Sequence, residues 1–278
     1  MKAKMIYVIA IFLVSSLALV IMPANPVSAQ SIWYVDDDNC PGPGSGAVGD
    51  PFCKIQDAID AASAGDTIEI AAGTYYEYSI TIDKSLTVQG AGMDITIIDA
   101  QYMSNVFRIG DTVDMSGMTI QNGKWSMGGG IGSGFEPLTL TDCIIKGNEV
   151  SMFGGGIVHE GPLTMTNCTV SGNKAEINGG GIGRAFGVSA DLKMTNCTIS
   201  ENTANHGGGI YNWFSLIDLT GCTISGNTAV NQGGGIYCQG DIALTNCTIS
   251  GNTAMDIVHG NGGGICTTGE NVTLTSCT

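Results

Sequence analysis

Three side chains of this sequence have the types needed for chemistry on an acidic sugar polymer: Arg184, Lys193 and His159. A lyase needs a cation to neutralise the uronate and a base to take the neighbouring proton. Arg184 is one of only two arginines in the chain, the other being Arg108. A second set suits the holding of sugar rings: Tyr211, Asn212, Trp213, Tyr237, Gln239 and His259. Aromatic faces and amides are what a sugar ring offers partners for. Surface variability explains the same residues equally well, because loops of a repeat protein are free to vary. Asp36 and Asp38 are candidate oxygen ligands for Ca²⁺, although their spacing matches no complete calcium loop. No other cofactor is implied.

The element that positions these residues is a repeat. The octet CTISGNTA stands at Cys222–Ala229 and again at Cys247–Ala254. Variants read CTVSGNKA from Cys168, CTISENTA from Cys197 and CIIKGNEV from Cys143. Successive cysteines Cys143, Cys168, Cys197, Cys222, Cys247 and Cys277 are 25, 29, 25, 25 and 30 residues apart. Triple glycines beginning at Gly128, Gly154, Gly179, Gly207, Gly233 and Gly262 keep the same phase. Asn148, Asn173, Asn202, Asn227 and Asn252 each follow a cysteine by five residues. Segments such as LTLTDCIIKGN alternate with period two, which is strand patterning. An all-strand unit of ~25 residues is one coil of a solenoid. The expected fold is therefore all-β: a right-handed parallel β-helix with three strands per coil.

Each marker then has a physical task. The cysteines are expected to point inward and stack as small hydrophobic spacers. A thiolate metal site is disfavoured, because the column has no CxxC and no histidine. The asparagines are expected at a corner, bonded amide to amide, with a left-handed backbone within their reach. The glycines permit a turn too tight for a Cβ. Thr and Ser of CTIS would form a regular outer face. Asn167, Asn196, Asn246 and Asn271 form glycosylation sequons that recur simply because the repeat does.

The ends differ from the middle. Residues 1–29 read as an export signal: Lys2 and Lys4, an apolar run from Met5 to Met22, then Val27-Ser28-Ala29. With it removed, no membrane span is expected. Residues 30–65 read as an N-terminal cap made of a strand, the Cys40–Cys53 loop and a short helix. Ile55, Ala58, Ile59 and Ala62 share one face of that helix. Cys40 and Cys53 lie outside the repeat and are the candidate disulfide. Residues 66–278 read as coils that stop one residue after Cys277, where ISGN should follow. The expectation is a continuation of the chain, or another subunit, covering that end. The net charge is −15, and loss of Lys2 and Lys4 makes the remainder more acidic. Such a surface repels nucleic acid.

ISENTANHGGGI (Ile199–Ile210) and ISGNTAVNQGGGI (Ile224–Ile236) resemble the repeat of polymorphic outer membrane proteins, which pairs F-x-x-N with G-G-A-(I/L/V). Here Ile or Val stands where that family has Phe, and usually Gly where it has Ala. The wider likeness is to pectin-lyase-like, right-handed β-helix exported proteins. WYVDDDNCPG, IQDAIDAASAGDTIEIAAGTY and LTVQGAG resemble the cap and first coils of that group. The resemblance implies fold more than activity, since the fold hosts lyases, hydrolases, adhesins and inert stalks. The Asn-Thr-Asp, Gly-His-Gly and Arg-x-Lys motifs of β-helix polygalacturonases are absent. The expected function is non-catalytic: a secreted or cell-surface protein that binds glycan or another cell-surface component. The alternatives are a polysaccharide lyase or hydrolase using Arg184, Lys193 or His159, and ice or crystal binding by the Thr/Ser face.

Overall fold

The computed structural model describes residues 30–184, 190–256, 262–269 and 271–278. Residues 1–29 and His259 lie outside the described residues. The strands pair in parallel in four sheets, of ten, six, eight and eight strands. One coil shows the order. Leu163–Thr166 belongs to the ten-stranded sheet and Thr169–Ser171 to an eight-stranded, cysteine-led sheet. Lys174–Ala175 joins the six-stranded sheet, and Ile182–Gly183 joins the second eight-stranded, glycine-led sheet. Register carries each residue onto its copy one coil away, as Thr169 onto Thr198, Thr223 and Thr248.

Three strands per coil hold in the coil built from Leu86–Gly90, Thr96–Asp99 and Phe107–Ile109. From Lys124–Met127 onward a fourth short strand intervenes between the ladder position and the glycines. Those residues alternate too, so Val150, Ala175 and Ala204 turn inward and pack as a small cluster of their own.

Alternation sets the core. Leu163 and Met165 are buried while Thr164 between them is exposed. The cysteine column and the isoleucine or valine column beside it are buried from Cys143 and Ile145 to Cys222 and Ile224. Each such aliphatic side chain contributes about 1.5–3 kcal/mol on burial. The cysteines are free thiols, and the Cys168 and Cys197 backbone N–H groups donate to the sulfur of the next coil at 3.4 Å. Contact with the Cys168 thiol, more than burial, pushes Cys197 up to about 12, so it stays protonated. Among the described residues no group of His, Cys, Asp or Glu is arranged to hold a metal ion.

The asparagines form a continuous buried ladder. Asn148 Nδ2 donates to Asn173 Oδ1 at 2.9 Å, and the pattern repeats through Asn202, Asn227 and Asn252. Each Nδ2 also donates to a carbonyl of the preceding coil, Asn202 to Val170 at 2.9 Å. Their backbone is not left-handed. That conformation falls instead on the residue before each of them, Gly147, Gly172, Glu201, Gly226 and Gly251 with φ of 58–65°, and on the residue before each cysteine, Asp142, Asn167, Asn196, Gly221, Asn246 and Ser276 with φ of 51–64°. The ladder position needs the amide, whereas the residue before it and the residue before the cysteine need the tolerance of positive φ shown best by Gly, Asn and Asp. The triple glycines pack against the ladder. A Cβ on Gly156 would sit 3.0 Å from Asn173 Nδ2, and one on Gly154 would meet the Ile157 carbonyl at 2.2 Å.

The first coil is covered. Helix Ile55–Ala61 buries Ile55, Ala58 and Ile59, and Glu77 accepts from its first N–H at 2.8 Å. Cys40 and Cys53 are joined as a disulfide with Cα atoms 5.0 Å apart.

Candidate functional site

The glycine-led sheet turns a polar column into the interior. Counting by register, Ile82, Ile109, Ser133 and His159 lie one above another, and Asn212, Cys238 and Thr267 continue the line. Arg184 follows Gly183, which pairs with Val158 and Tyr211, and so enters the same column. Four of these side chains, His159, Arg184, Asn212 and Cys238, reach a carbonyl of the corner that leads to the ten-stranded sheet. His159 Nδ1 meets Gly161 O at 2.9 Å, Asn212 Nδ2 donates to Ser215 O at 2.9 Å, and Cys238 Sγ donates to Gly240 O at 3.4 Å. Arg184 spans the widest corner: Nη1 donates to Ala190 O at 3.0 Å and to the Ser215 hydroxyl. These bonds tie the sheet to its corner from inside and mark the four residues as struts.

They are sealed. Arg184 is 0% exposed and His159 1%. Burial, with a smaller push from Arg184, lowers the His159 pKa to about 4 against the opposing Gly161 carbonyl, so its ring is neutral at pH 7. Burial lowers Arg184 too, opposed by Glu160 and Asp191. Lys193 stands on the other side of the wall, exposed on the outer face of the ten-stranded sheet and 3.9 Å from Asp218. The three catalytic candidates therefore do not converge, and His159 and Arg184 are buried.

The ring-binding candidates divide likewise. Tyr211 and Tyr237 are register partners on the outer side and stack face to face, 5.2 Å apart and 5° from parallel. Burial pushes Tyr211 up to about 12. Gln239 Nε2 donates to the Tyr237 hydroxyl at 3.0 Å. Trp213 packs edge-on to Tyr211 at 6.3 Å, Phe214 lies 5.7 Å from Trp213, and His206 lies edge-on to Tyr237 at 5.8 Å. Five rings thus form one strip, His206–Tyr237–Tyr211–Trp213–Phe214. Its buried middle is already stacked, and its free end is Trp213 at 37% exposed and Phe214 at 64%. Asn212 is buried and takes no part. His206 and Phe214 were not among the sequence candidates, although Phe214 directly follows Trp213 and His206 directly precedes a triple glycine. His259 is outside the described residues. Asp36 accepts from the Asp38 N–H at 3.0 Å and caps the short helical turn Asp37–Asn39, a local use of that acidic run.

A trough runs over the outer face of the first coils. Its floor is one register line of the ten-stranded sheet: Tyr34, Glu69, Gln89 and Ser116. Two concavities of about 340 and 480 Å³ adjoin at Gln89, Gly90 and Ala91. Val48 and Pro51 of the disulfide-held cap wall one part, and Met93, Asp94 and Ile95 the other.

The family model for the right handed beta helix region matches residues 86–238. The Chlamydia polymorphic membrane protein repeat matches residues 246–268. No curated protein matches the chain. Among solved structures, pectate lyase Pel9A is 15% identical with a TM-score of 0.51, over 91% of this chain and 78% of that one. Pectin methylesterase PemA from Erwinia chrysanthemi is 16% identical with a TM-score of 0.43, over 80% of this chain and 67% of that one. At such identities the likeness to the lyase is one of fold. The parallel coils, the buried ladders and the match over 86–238 place this chain in the right-handed β-helix family.

Proposed function

We propose that this chain is an exported, secreted or cell-surface β-helix protein that binds glycan without transforming it. The observation that carries the reading is the ring strip. Trp213 and Phe214 present free aromatic surface at the end of a stacked series, the arrangement that suits a pyranose face. Phe214 holds a φ of 59°, a left-handed conformation that costs a bulky residue about 1–3 kcal/mol, with no burial in return. Such strain at an exposed aromatic fits a residue kept for contact. Chemistry would need an accessible cation and base, and Arg184 and His159 are both enclosed. Export is supported by the leader-like residues 1–29 and by the likeness to a membrane-protein repeat.

The test is a glycan array read beside an assay for unsaturated and reducing-sugar products. The expected result is saturable glycan binding, weakened about tenfold by Trp213→Ala or Phe214→Ala, and no product. Turnover of a polyuronate by the wild type would refute the non-catalytic reading.

A further inference from the structure

Most of the interior is apolar, built from columns of Ile, Leu, Met and Cys. The column through His159, Arg184 and Asn212 is different. Among the described residues, the buried side-chain nitrogen and oxygen atoms without a hydrogen-bond partner are His159 Nε2, Arg184 Nε, Arg184 Nη2 and Asn212 Oδ1. All of them belong to one column of three successive coils, because register sets Arg184 between His159 and Asn212. Orphans of unrelated origin would be scattered through the molecule. An unpaired buried polar group is costly, so this one stretch calls for a partner that the described residues do not supply.

The chemistry of the four atoms identifies that partner. His159 Nδ1 stands 2.9 Å from the Gly161 carbonyl and must carry the ring proton, so Nε2 of the neutral ring is a lone-pair acceptor. Asn212 Nδ2 donates to Ser215 O at 2.9 Å, which fixes the amide and leaves Oδ1 as an acceptor. Arg184 uses Nη1 on Ala190 O and the Ser215 hydroxyl, and its remaining edge of Nε and Nη2 holds only donors. Donors therefore lie between acceptors of the coils on either side. A direct bond needs about 2.9 Å, whereas neighbouring strands stand ~4.8 Å apart. One water that accepts from one side chain and donates to the next spans roughly 4.5–5 Å. An anion would satisfy the guanidinium alone and face two lone pairs. The negative charge it would bring is already felt by Arg184 from Glu160 and Asp191.

We propose that the interior between His159, Arg184 and Asn212 is a binding site for water, whose molecules bridge Arg184 Nε and Nη2 to His159 Nε2 on one side and to Asn212 Oδ1 on the other. Water is the partner that satisfies all four atoms, because it both accepts and donates. The guanidinium so keeps part of its hydration inside the solenoid. The site lies beneath the corner that carries the ring strip, since Arg184 also holds Ser215, the residue after Phe214. It does not depend on glycan binding and stands if that reading fails.

The test is a crystal structure at a resolution that shows ordered water, from crystals grown in bromide in place of chloride. The expected result is density without anomalous signal, about 2.7–3.2 Å from the Arg184 edge and from His159 Nε2 or Asn212 Oδ1. An anomalous peak there would mark an anion and overturn the proposal. Direct bonds from Arg184 to both neighbours with no density between them, or density that touches neither acceptor, would overturn it too. Magnetic relaxation dispersion of water oxygen gives a second reading in solution, since it counts waters held longer than the protein takes to tumble. His159→Phe and Asn212→Leu should each lose long-lived water relative to wild type, while Asn246→Ala, at an exposed corner, should lose none. A melting curve for each variant shows that the fold is kept. An unchanged count in both folded variants would overturn the proposal, and if neither folds the wild-type crystal structure decides.

Discussion

One line of the ten-stranded sheet shows two different proteins in a single register. At its N-terminal end it reads Tyr34, Glu69, Gln89, Ser116. From there on it reads Thr141, Thr166, Thr195, Thr220, Thr245, Thr275. The backbone geometry is the same throughout. What differs is that the later coils repeat and the early ones do not. Where coil matches coil, this outward line falls to a β-branched residue that suits any strand, while the outward line two residues earlier still varies as Thr164, Lys193, Asp218 and Ala243. Where the coils are irregular, walls rise beside the sheet and the outward positions diversify. In the repeated half, diversity moves to the corner after the triple glycines, where the ring strip lies. Recognition chemistry in this fold sits where the repeat is broken.

That contrast can be broken at its strongest point first. In the repeated half, Asn202 donates to Val170 O and Asn227 Oδ1 and accepts from the backbone and side chain of Asn173. Asn202→Ala orphans several buried groups at about 1–3 kcal/mol each, so a loss of at least ~3 kcal/mol is expected in denaturant unfolding. In the irregular half the comparable brace is covalent. Replacing Cys40 and Cys53 by serine opens a loop with a sequence separation of 13 and should lower stability by about 3 kcal/mol.

The pH response is of similar size. His159 has a folded pKa of about 4, below its ordinary 6.5, so folding favours the neutral ring. Its contribution is complete above the unfolded value and is lost as pH falls from 6.5 towards 4, a total of about 3 kcal/mol. Arg184 is the charged group whose field adds to that loss. His159→Gln should flatten the slope of unfolding free energy against pH in that window. The smallest effect is expected on the uniform outer face. Thr195→Val should change stability by no more than ~0.5 kcal/mol and leave glycan binding intact. A measurable loss of binding there would show that the threonine line takes part in recognition.

Much of the architecture was legible because it is periodic. The cysteine, asparagine and glycine phases gave coil length, inward columns and the ladder. At the ladder corner the left-handed residue is the one before the asparagine, at Gly147, Gly172, Glu201, Gly226 and Gly251, and not the asparagine itself. Asn167 takes positive φ, whereas Asn173 carries the ladder bonds. The burial of His159, Arg184 and Asn212 had a usable signal. Counting in twos from the isoleucine of each GGGI puts all three on the inner side. The stacking of Tyr211 on Tyr237 followed from register, but its burial did not. That depends on the glycine turn folding the preceding strand back beside the rings, as His206 shows. The trough left no periodic trace, because it is made by the non-repeating coils.

The most direct measurement is a titration of one array-identified oligosaccharide into wild type and into the Trp213→Ala, Phe214→Ala double variant, with product formation followed in the same cell. Binding in the wild type, a loss of about tenfold or more in the variant and a flat product signal is the predicted result. Unaltered affinity in the variant, or product from the wild type, would contradict it.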